Sequence, residues 1–312
     1  MRPLVSVSSA CYNHKEFLDE YFDSVLSQTY KNIEIVIGDD ASIDGSQEIL
    51  LKYKKKYPNK IKLILNEKNL GITQNSINVL KACRGKYIAL VATDDLMLPA
   101  KIEKQVEVLE KNPNINICYH DLEVIFENSN KKMLFSEINQ YTPKRGAVKE
   151  LIKYGTFVGA CSVMIRRENI PSYFFDDRIK IASDWKFLID VIREGEFYYI
   201  NEVLGKYRRH SNNITLLRTI ETLDDHILTC GILIQEYPEY VNEIKYRLAN
   251  ILFEKSMQYF RMEKYLEAKK NLEASIKIKK IPKNVLFYFL NKCMDFSTLE
   301  KLKRKFKKSL NV

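Results

Sequence analysis

The sequence predicts an α/β fold: a mainly parallel sheet flanked by helices, followed by an all-helical C-terminal extension. Two observations carry this expectation. Through the first two-thirds of the chain, short apolar runs of strand type alternate with amphipathic segments of helical spacing. That order calls for right-handed crossovers between parallel strands. After Asn213 only helical periodicity remains. Residues 1–215 are therefore expected to form one domain and residues 216–312 a helical second region.

Taken in order, Leu4 to Ser9 alternates and is rich in β-formers, so it reads as the first strand. A helix follows from about Glu16 to Gln28, with Phe17, Leu18, Tyr21, Phe22, Val25 and Leu26 at helical spacing. Ile33 to Gly38 is the second strand, and it ends on the acidic turn Asp39 to Ser46. A helix from Ser46 leads to a third strand at Ile61–Asn66, and another helix is expected over 72–82. Ile88 to Ala92 is a buried apolar run that stops at Asp94 and Asp95, with Pro99 opening the next helix. Ile115 to Phe126 is the fifth strand. Residues 127–160 are irregular; Ser162 to Arg166 reads as a returning strand, and 171–180 as a loop. Asp184 opens a helix to about Glu194. Phe197–Ile200 and Gly205–Arg208 read as two short strands. Helices are expected near 219–236, 240–260, 263–278, 283–293 and 297–309.

In a parallel α/β sheet, ligands bind at the carboxyl ends of strands. Residues 10–14, 39–46 and 94–95 all follow such ends, so three polar or acidic loops are expected on one rim. The acid pair Asp39 and Asp40 suits hydrogen bonds from a base or ribose. The pair Asp94 and Asp95 suits Mn²⁺ or Mg²⁺, which favour carboxylate oxygens and bridge phosphates. A solvated acidic turn is the plain alternative for either pair. On spacing alone, Asp184 is read first as an N-cap or first-turn acid favoured by the helix dipole, ahead of a catalytic role. His210 stands as either a surface or capping histidine or a ligand, and Arg208 and Arg209 as phosphate contacts or solvated cations. No G-x-x-x-x-G-K-[ST] or G-x-G-x-x-G occurs, so P-loop and dinucleotide chemistry are unsupported.

Composition narrows the class. With 46% hydrophobic and 29% charged residues the chain reads as an ordinary globular protein. No apolar run is long enough to span a bilayer, and Met1-Arg2-Pro3-Leu4 enters a strand directly, leaving no room for a signal peptide; a cytoplasmic location is expected. The six cysteines are scattered without a C-x-x-C pair, which suits reduced, buried thiols. Of the net charge of +10, the residues from Asn213 onward hold 19 Lys/Arg against 12 Asp/Glu, or +7, and the first 212 hold 31 against 28, or +3. The clustered lysines lack the interleaved aromatics of a nucleic-acid platform, so no nucleic-acid partner is expected.

With these residues assembled, the first 212 or so positions resemble glycosyltransferase family 2, inverting enzymes of the GT-A fold, with the SpsA-like type nearest in pattern. The resemblance rests on several stretches in the family's order. They are Val5-Ser6-Val7 followed by Tyr12-Asn13, Ser27-Gln28-Thr29-Tyr30, Asp39 to Ser46, Asn69-Leu70-Gly71, Thr93-Asp94-Asp95 with Pro99, Cys161 to Arg166, Asp184-Trp185, and Tyr207-Arg208-Arg209-His210. It implies that Ala10 and Tyr12 hold uracil, that Asp40 contacts the base, and that Asp39 and Asn69 belong to the donor site. It further implies that Asp94 and Asp95 face the ribose and a Mn²⁺ or Mg²⁺ ion, Asp95 being the direct ligand. Asp184 would be the general base, and His210 would touch the metal or pyrophosphate. The chain departs from the family where Ala10 replaces a hydroxyl residue, where Asp94-Asp95 replaces D-x-D, and where Ser rather than Glu precedes Asp184. The implied activity is metal-dependent transfer of a sugar from a nucleotide-diphosphate donor, UDP-linked, to a hydroxyl of a glycan or lipid-linked glycan in the synthesis of bacterial surface polysaccharide, lipooligosaccharide or glycoprotein glycans. The other readings are a sugar nucleotidyltransferase, against which the glycine-free stretch Ser8 to Asn13 speaks, and a non-catalytic nucleotide-sugar or partner-binding module.

The resemblance fades after about residue 215. Residues 254–278 look like one tetratricopeptide-type helix pair, with Tyr265, Ala268, Leu272 and Ala274 at packing positions. Because a solenoid needs about three repeats, a helical cap fits better than a peptide-binding array. Within 297–312, Leu299, Leu302, Phe306 and Leu310 share one face among lysines and Arg304. That pattern suits peripheral association with an anionic membrane at the inner face of the cytoplasmic membrane, or a solubilising terminal helix.

Overall fold

The structure is a computed structural model that describes residues 2–293, apart from 128, 140, 143 and 156–158. Its elements run β1 Val5–Cys11, α1 Leu18–Leu26, β2 Ile33–Asp39, α2 Ser46–Lys56, β3 Ile61–Leu65, α3 Ile72–Ala82, β4 Tyr87–Leu90, β5 Leu96–Met97 and α4 Lys101–Lys111. There follow β6 Ile115–Phe126, β7 Ser129–Leu134, α5 Phe135–Ile138, α6 Val148–Tyr154, β8 Met164–Arg166, α7 Asp184–Ile192, β9 Glu196–Arg209 and α8 Ile214–Leu217. The last helices are α9 Thr219–Glu236, α10 Val241–Arg261, α11 Tyr265–Ile278 and α12 Pro282–Cys293.

The sheet order is β3-β2-β1-β4-β8-β6-β9-β5, with β7 paired to β6. The first four strands are parallel, β8 is antiparallel to both β4 and β6, and β6 runs parallel to β9. β1, β2 and β4 are buried nearly throughout, so β4 and most of β2 read as apolar runs, while the β1 serines Ser6 and Ser9 are met by Glu34 and Tyr21. The α1 residues Leu18, Tyr21, Phe22 and Val25 recur at helical spacing and are all fully buried against β1 and β2 residues such as Val7, Ile35 and Ile37. Burying an aromatic or aliphatic side chain of this kind stabilises by about 1.5–3 kcal/mol each, so this face holds the sheet's upper layer in place. Gly38 permits the close approach of α3: a Cβ there would lie 2.4 Å from Asn75 Oδ1. The Asn75 amide donates to the Gly38 carbonyl at 2.8 Å.

After β1 the chain fills one side of the sheet with β2 and β3, then returns to the other side of β1 with β4. The order therefore reverses between β1 and β4. The loops that follow their carboxyl ends lie at this switch point, the place where α/β sheets bind ligands.

Several elements differ from expectation. β4 ends at Leu90, two residues short of the expected Ala92, although Leu90 N–H to Val163 O and Val91 N–H to Ser8 O continue its pairing. β9 is one 14-residue strand rather than two short ones. Its pairing with β6 carries irregular register near His120 and Asp121, which accommodates the polar stretch Asn201–Glu202. β7 and α6 lie in the stretch read as irregular.

The chain separates into two compact units, Met1–Leu217 and Arg218–Val312. Among the described residues the second is helical. Its core includes Phe260, Ala268 and Leu272, packed against Phe253, Met257, Tyr265 and Phe287. The α10–α11 pair is pinned by Ser256 Oγ–H to Ala268 O at 2.7 Å and by Ser275 Oγ–H to Ala249 O at 2.6 Å. Ser275 is fully buried, whereas Ala274, expected at a packing position, is half-buried. The amphipathic stretch 297–312 lies outside the described residues. No helix among the described residues is long and apolar enough to cross a membrane. Cys11, Cys83, Cys118, Cys161 and Cys230 are free and buried.

Candidate active site

The rim at the ends of β1 and β4 is built from hydrogen-bonded loops. After β1, Asn13 adopts a left-handed φ of +54°, which an Asn tolerates and which turns the loop back on itself. That turn is sewn to the loop after β2. Asn13 N–H donates to Ser42 Oγ, Ile43 N–H to Asn13 Oδ1, His14 N–H to Ser46 Oγ and Lys15 N–H to Asp44 Oδ2, all between 2.8 and 3.0 Å. Ala10 contributes its carbonyl, which accepts from Thr93 N–H and Thr93 Oγ1–H. Tyr12 is 44% exposed at this rim, so its ring is open to a planar ligand.

Asp39 and Asp40 are buried rather than presented to solvent. Asp39 accepts from Ser42 N–H, Ser42 Oγ–H and Gln47 Nε2–H at 3.0, 2.5 and 2.7 Å. Asp40 accepts from Asn66 Nδ2–H, Leu70 N–H and Gly71 N–H at 3.0, 2.8 and 2.9 Å. Asn69 is exposed, and its Oδ1 shares the Gly71 N–H at 3.0 Å. A carboxylate offers about four lone-pair sites, so each aspartate has little left for a ligand. Their visible work is to fix the loops that carry the rim.

Asp94 is the centre of a second cluster. Its Oδ2 lies 3.1 Å from His210 Nε2, 3.9 Å from His14 Nε2 and 3.5 Å from Asn213 Nδ2. His14 Nδ1 is 2.8 Å from Thr93 Oγ1, and the His210 ring lies 4.8 Å from Phe17. Asp94 Oδ1 and His210 Nδ1 are both buried without a hydrogen-bond partner, which is costly unless something else meets them. Burial opposes the Asp94 charge, but the His210 hydrogen bond and the neighbouring histidine charge outweigh it, and its carboxyl stays below the usual aspartate value. Asp95 is the reverse. Burial first, then the Asp94 charge, push it well above that value. Its Oδ1 accepts the Arg208 N–H at 2.9 Å, so it faces backbone. Arg208 itself is neither solvated nor open to phosphate. Its Nε–H donates to Asp94 O at 3.0 Å, its NH2 group pairs with Glu20 at 2.5 Å, and the guanidinium lies over the Phe17 ring. β9 is thereby locked to the end of β4.

Asp184 begins α7, half-buried, with Oδ1 accepting the Trp185 N–H at 2.8 Å. Burial raises its carboxyl above the ordinary value, partly offset by that N–H. Neighbouring Ser183 fixes where it sits. Ser183 Oγ lies 2.8 Å from Thr73 Oγ1, and the Thr73 hydroxyl also reaches Ile179 O and Lys180 O at 2.9 and 3.0 Å. Thr73 is in the first turn of α3, directly after the Gly71 held by Asp40. Asp184 is thus tied to the same rim, although no hydrogen bond joins it to Asp94 among the described residues.

Sequence reasoning assigns no site role to His14, Thr93, Asn213 or Thr73, although His14 lies in the 10–14 loop and Thr93 in the Thr93-Asp94-Asp95 stretch. His14 and Asn213 carried a faint signal: each is a polar residue within three positions of a residue already chosen. Thr73 carried none, since its partners lie more than 100 positions away. Among the described residues no three His, Cys, Asp or Glu side chains group as a metal site. The Asp94–His210 pair does fit a partial one. Two neighbouring ligands at about 2.1 Å from an octahedral ion lie about 3.0 Å apart, close to what this pair shows. Both also have an unmet buried atom.

Comparison with known proteins gives a consistent picture. The family described as Glycosyl transferase family 2 matches residues 6–170. An uncharacterized protein of Mycobacterium tuberculosis is 32% identical over 212 residues, 67% of this chain and 60% of its own length, so the chain matches under two-thirds of that relative. An uncharacterized glycosyltransferase of Methanocaldococcus jannaschii is 32% identical over 213 residues, covering 66% of this chain and 71% of that protein. One from Haemophilus influenzae is 34% identical over 218 residues, 67% of each. Among solved structures, S. aureus TarS 1–349 in complex with UDP superposes with a TM-score of 0.65 at 13% identity, covering 98% of this chain and 91% of that one. The mannosyltransferase PcManGT from Pyrobaculum calidifontis, in complex with GDP-Man and Mn²⁺, gives 0.63 at 15% identity, with 97% and 85% covered. At such identities the likeness is one of fold, and the fold is GT-A.

Proposed function

We infer the reaction from one premise: the chain belongs to glycosyl transferase family 2. It is a glycosyltransferase that moves a sugar from a nucleotide-diphosphate donor, UDP-linked, to a hydroxyl of a glycan or lipid-linked glycan, with inversion at the anomeric carbon. The observation that carries this reading is the Asp94–His210 contact of 3.1 Å at the sheet's switch point, with an unmet buried atom on each side chain. The cation would meet Asp94 Oδ1, and a diphosphate oxygen would accept from His210 Nδ1–H. The relatives TarS and PcManGT were solved with UDP and with GDP-Man and Mn²⁺, which supports a donor of this class.

Asp94 and His210 would hold Mn²⁺ or Mg²⁺, whose chemistry there is to offset the charge growing on the departing diphosphate. Asp94, rather than Asp95, is the better direct ligand, because Asp95 is engaged by the Arg208 N–H and favours its protonated form. Tyr12 offers a ring for the base, and Ala10, Asp39, Asp40 and Asn69 shape the donor loops around it. Asp184 takes the proton from the acceptor hydroxyl as that oxygen attacks the anomeric carbon. Its raised pKa brings its basicity closer to the operating pH, which is what a general base requires. Thr73 and Ser183 hold that carboxylate on the donor rim, so the acceptor oxygen and the base are positioned together. Peripheral membrane association through 297–312 would suit a lipid-linked acceptor.

The test is a panel of UDP-, GDP- and dTDP-sugars with Mn²⁺, read by thermal shift and then by turnover. One UDP-sugar should raise the melting temperature and give a product of inverted anomeric configuration. Retention of configuration, or stabilisation by none of the panel, refutes the reading.

A further inference from the structure

At the other end of the central strands from the donor rim lies a cavity of about 420 Å³, with Leu80, Lys81, Gly85, Lys86, Arg167 and Phe174 in its wall. It sits where β4 begins and β8 ends, whereas Asp94 and Asp95 follow the other end of β4. α3 runs from the donor rim at Thr73 to this cavity at Lys81, about 12 Å along its axis. Its volume is in the range of small-molecule sites.

The wall has two chemical halves. Lys81 and Arg167 are exposed cations without an ion-pair partner among the described residues, and Lys86 is paired with Glu110 at 2.6 Å. Leu80, Ile170, Pro171 and Phe174 supply apolar wall, with Glu168 the one acid lining the cavity. Gly85, also in the wall, packs against the backbone of β1, where a Cβ would meet Ser6 N at 2.5 Å. Phe174 is held at φ +63°, a conformation that bulky residues avoid and that clusters at functional positions. That backbone puts the ring 5.7 Å from Lys81 Nζ. Cations beside an aromatic and aliphatic wall recognise an anionic head on a compact apolar body.

We propose that this cavity is a second binding site, for a phosphate monoester with a small apolar body, and that its occupancy is felt at Asp184. The path is the segment 171–183. Its first part, Pro171 to Phe174, lines the cavity. Its last part is tied to Thr73 through Ile179 O, Lys180 O and Ser183 Oγ. α3 joins the same two places, so a ligand that shifts Phe174 against Lys81 acts on both elements that position Asp184.

The experiment uses phenyl phosphate, farnesyl phosphate and inorganic phosphate in titration calorimetry, with the intrinsic fluorescence of Trp185 as the second readout. Trp185 is the chain's only tryptophan, is buried, and adjoins Asp184. Saturable binding of an ester is expected, at least tenfold tighter than inorganic phosphate. In K81E/R167E it should weaken at least tenfold. Phenyl phosphate alone binding points to a soluble metabolite, and farnesyl phosphate binding tighter points to a lipid phosphate; either supports the site. No saturable binding of either ester, or binding unchanged in K81E/R167E, overturns it. The Trp185 emission should change on saturation of the wild type, and binding without that change overturns the link to Asp184. Neither readout depends on sugar transfer, so the two proposals fail separately.

Discussion

The Thr73 hydroxyl offers a quantitative test of how Asp184 is held. Thr73→Val keeps the side chain's shape and removes one oxygen. Thr73 is 4% exposed, and its Oγ1 meets Ile179 O, Lys180 O and Ser183 Oγ at 2.8–3.0 Å. A hydroxyl has one hydrogen, so it donates to the two carbonyls in turn and accepts from Ser183. Its loss therefore removes two hydrogen bonds at a time, each worth about 1 kcal/mol net, and leaves buried acceptors unmet, for a total of about 2–3 kcal/mol. For a cooperative unit of this size, that corresponds to a melting temperature lower by about 4–12 °C. With Ser183 released, Asp184 should sample other orientations, so kcat falls by about tenfold or more while donor affinity holds, because the donor loops do not depend on Thr73. Thermal melts read the first effect, and turnover beside UDP titration reads the second. A variant within about 0.5 kcal/mol of wild type and equal in kcat would refute the idea that this hydroxyl places Asp184.

Further expectations follow from other groups. His120 is buried, with burial lowering its pKa to about 3. The unfolded chain binds that proton near pH 6.5 and the folded one does not, so stability is present above about 6.5 and is lost as pH falls toward 3. By pH 5 the loss is about 2 kcal/mol, readable as a lower urea midpoint than at pH 7; equal midpoints would contradict it. Gly38→Ala should destabilise by at least about 1–3 kcal/mol, since the new Cβ would sit 2.4 Å from Asn75 Oδ1; a neutral melt would show that α3 shifts freely. Mn²⁺ should bind weakly to the nucleotide-free protein and much more tightly with UDP, with Asp94→Asn abolishing the gain. Tight binding of Mn²⁺ alone through Asp94 would mean that the protein holds a complete site.

Much of the fold was legible because its causes are local. The buried faces of β1, β2 and α1 announce themselves by period, and β6 was read to its ends because turn-formers flank an unbroken β-rich run. β5 was not legible, since Leu96–Met97 is too short to show a period and exists only because β9 passes beside it. β9 looked like two strands because Asn201 and Glu202 interrupt its apolar pattern, while pairing with β6 carries the strand across. At the site, the residue types were readable and their partners were not. Asp39 and Asp40 looked like open carboxylates, but the turns around them consume their lone pairs. Asp94 and Asp95 are adjacent and alike in sequence. Only the Arg208 N–H from β9 and the histidines from two distant loops separate their roles.

The central claim is that Asp184 is the base that activates the acceptor, beside a donor it does not bind. Asp184→Asn, assayed for turnover and UDP affinity on one preparation, tests it. The account predicts kcat lower by about 10²–10⁴-fold with UDP affinity unchanged, and, in the wild type, a rate that falls with acid through a pKa above that of an ordinary aspartate. Turnover largely retained in Asp184→Asn would contradict it.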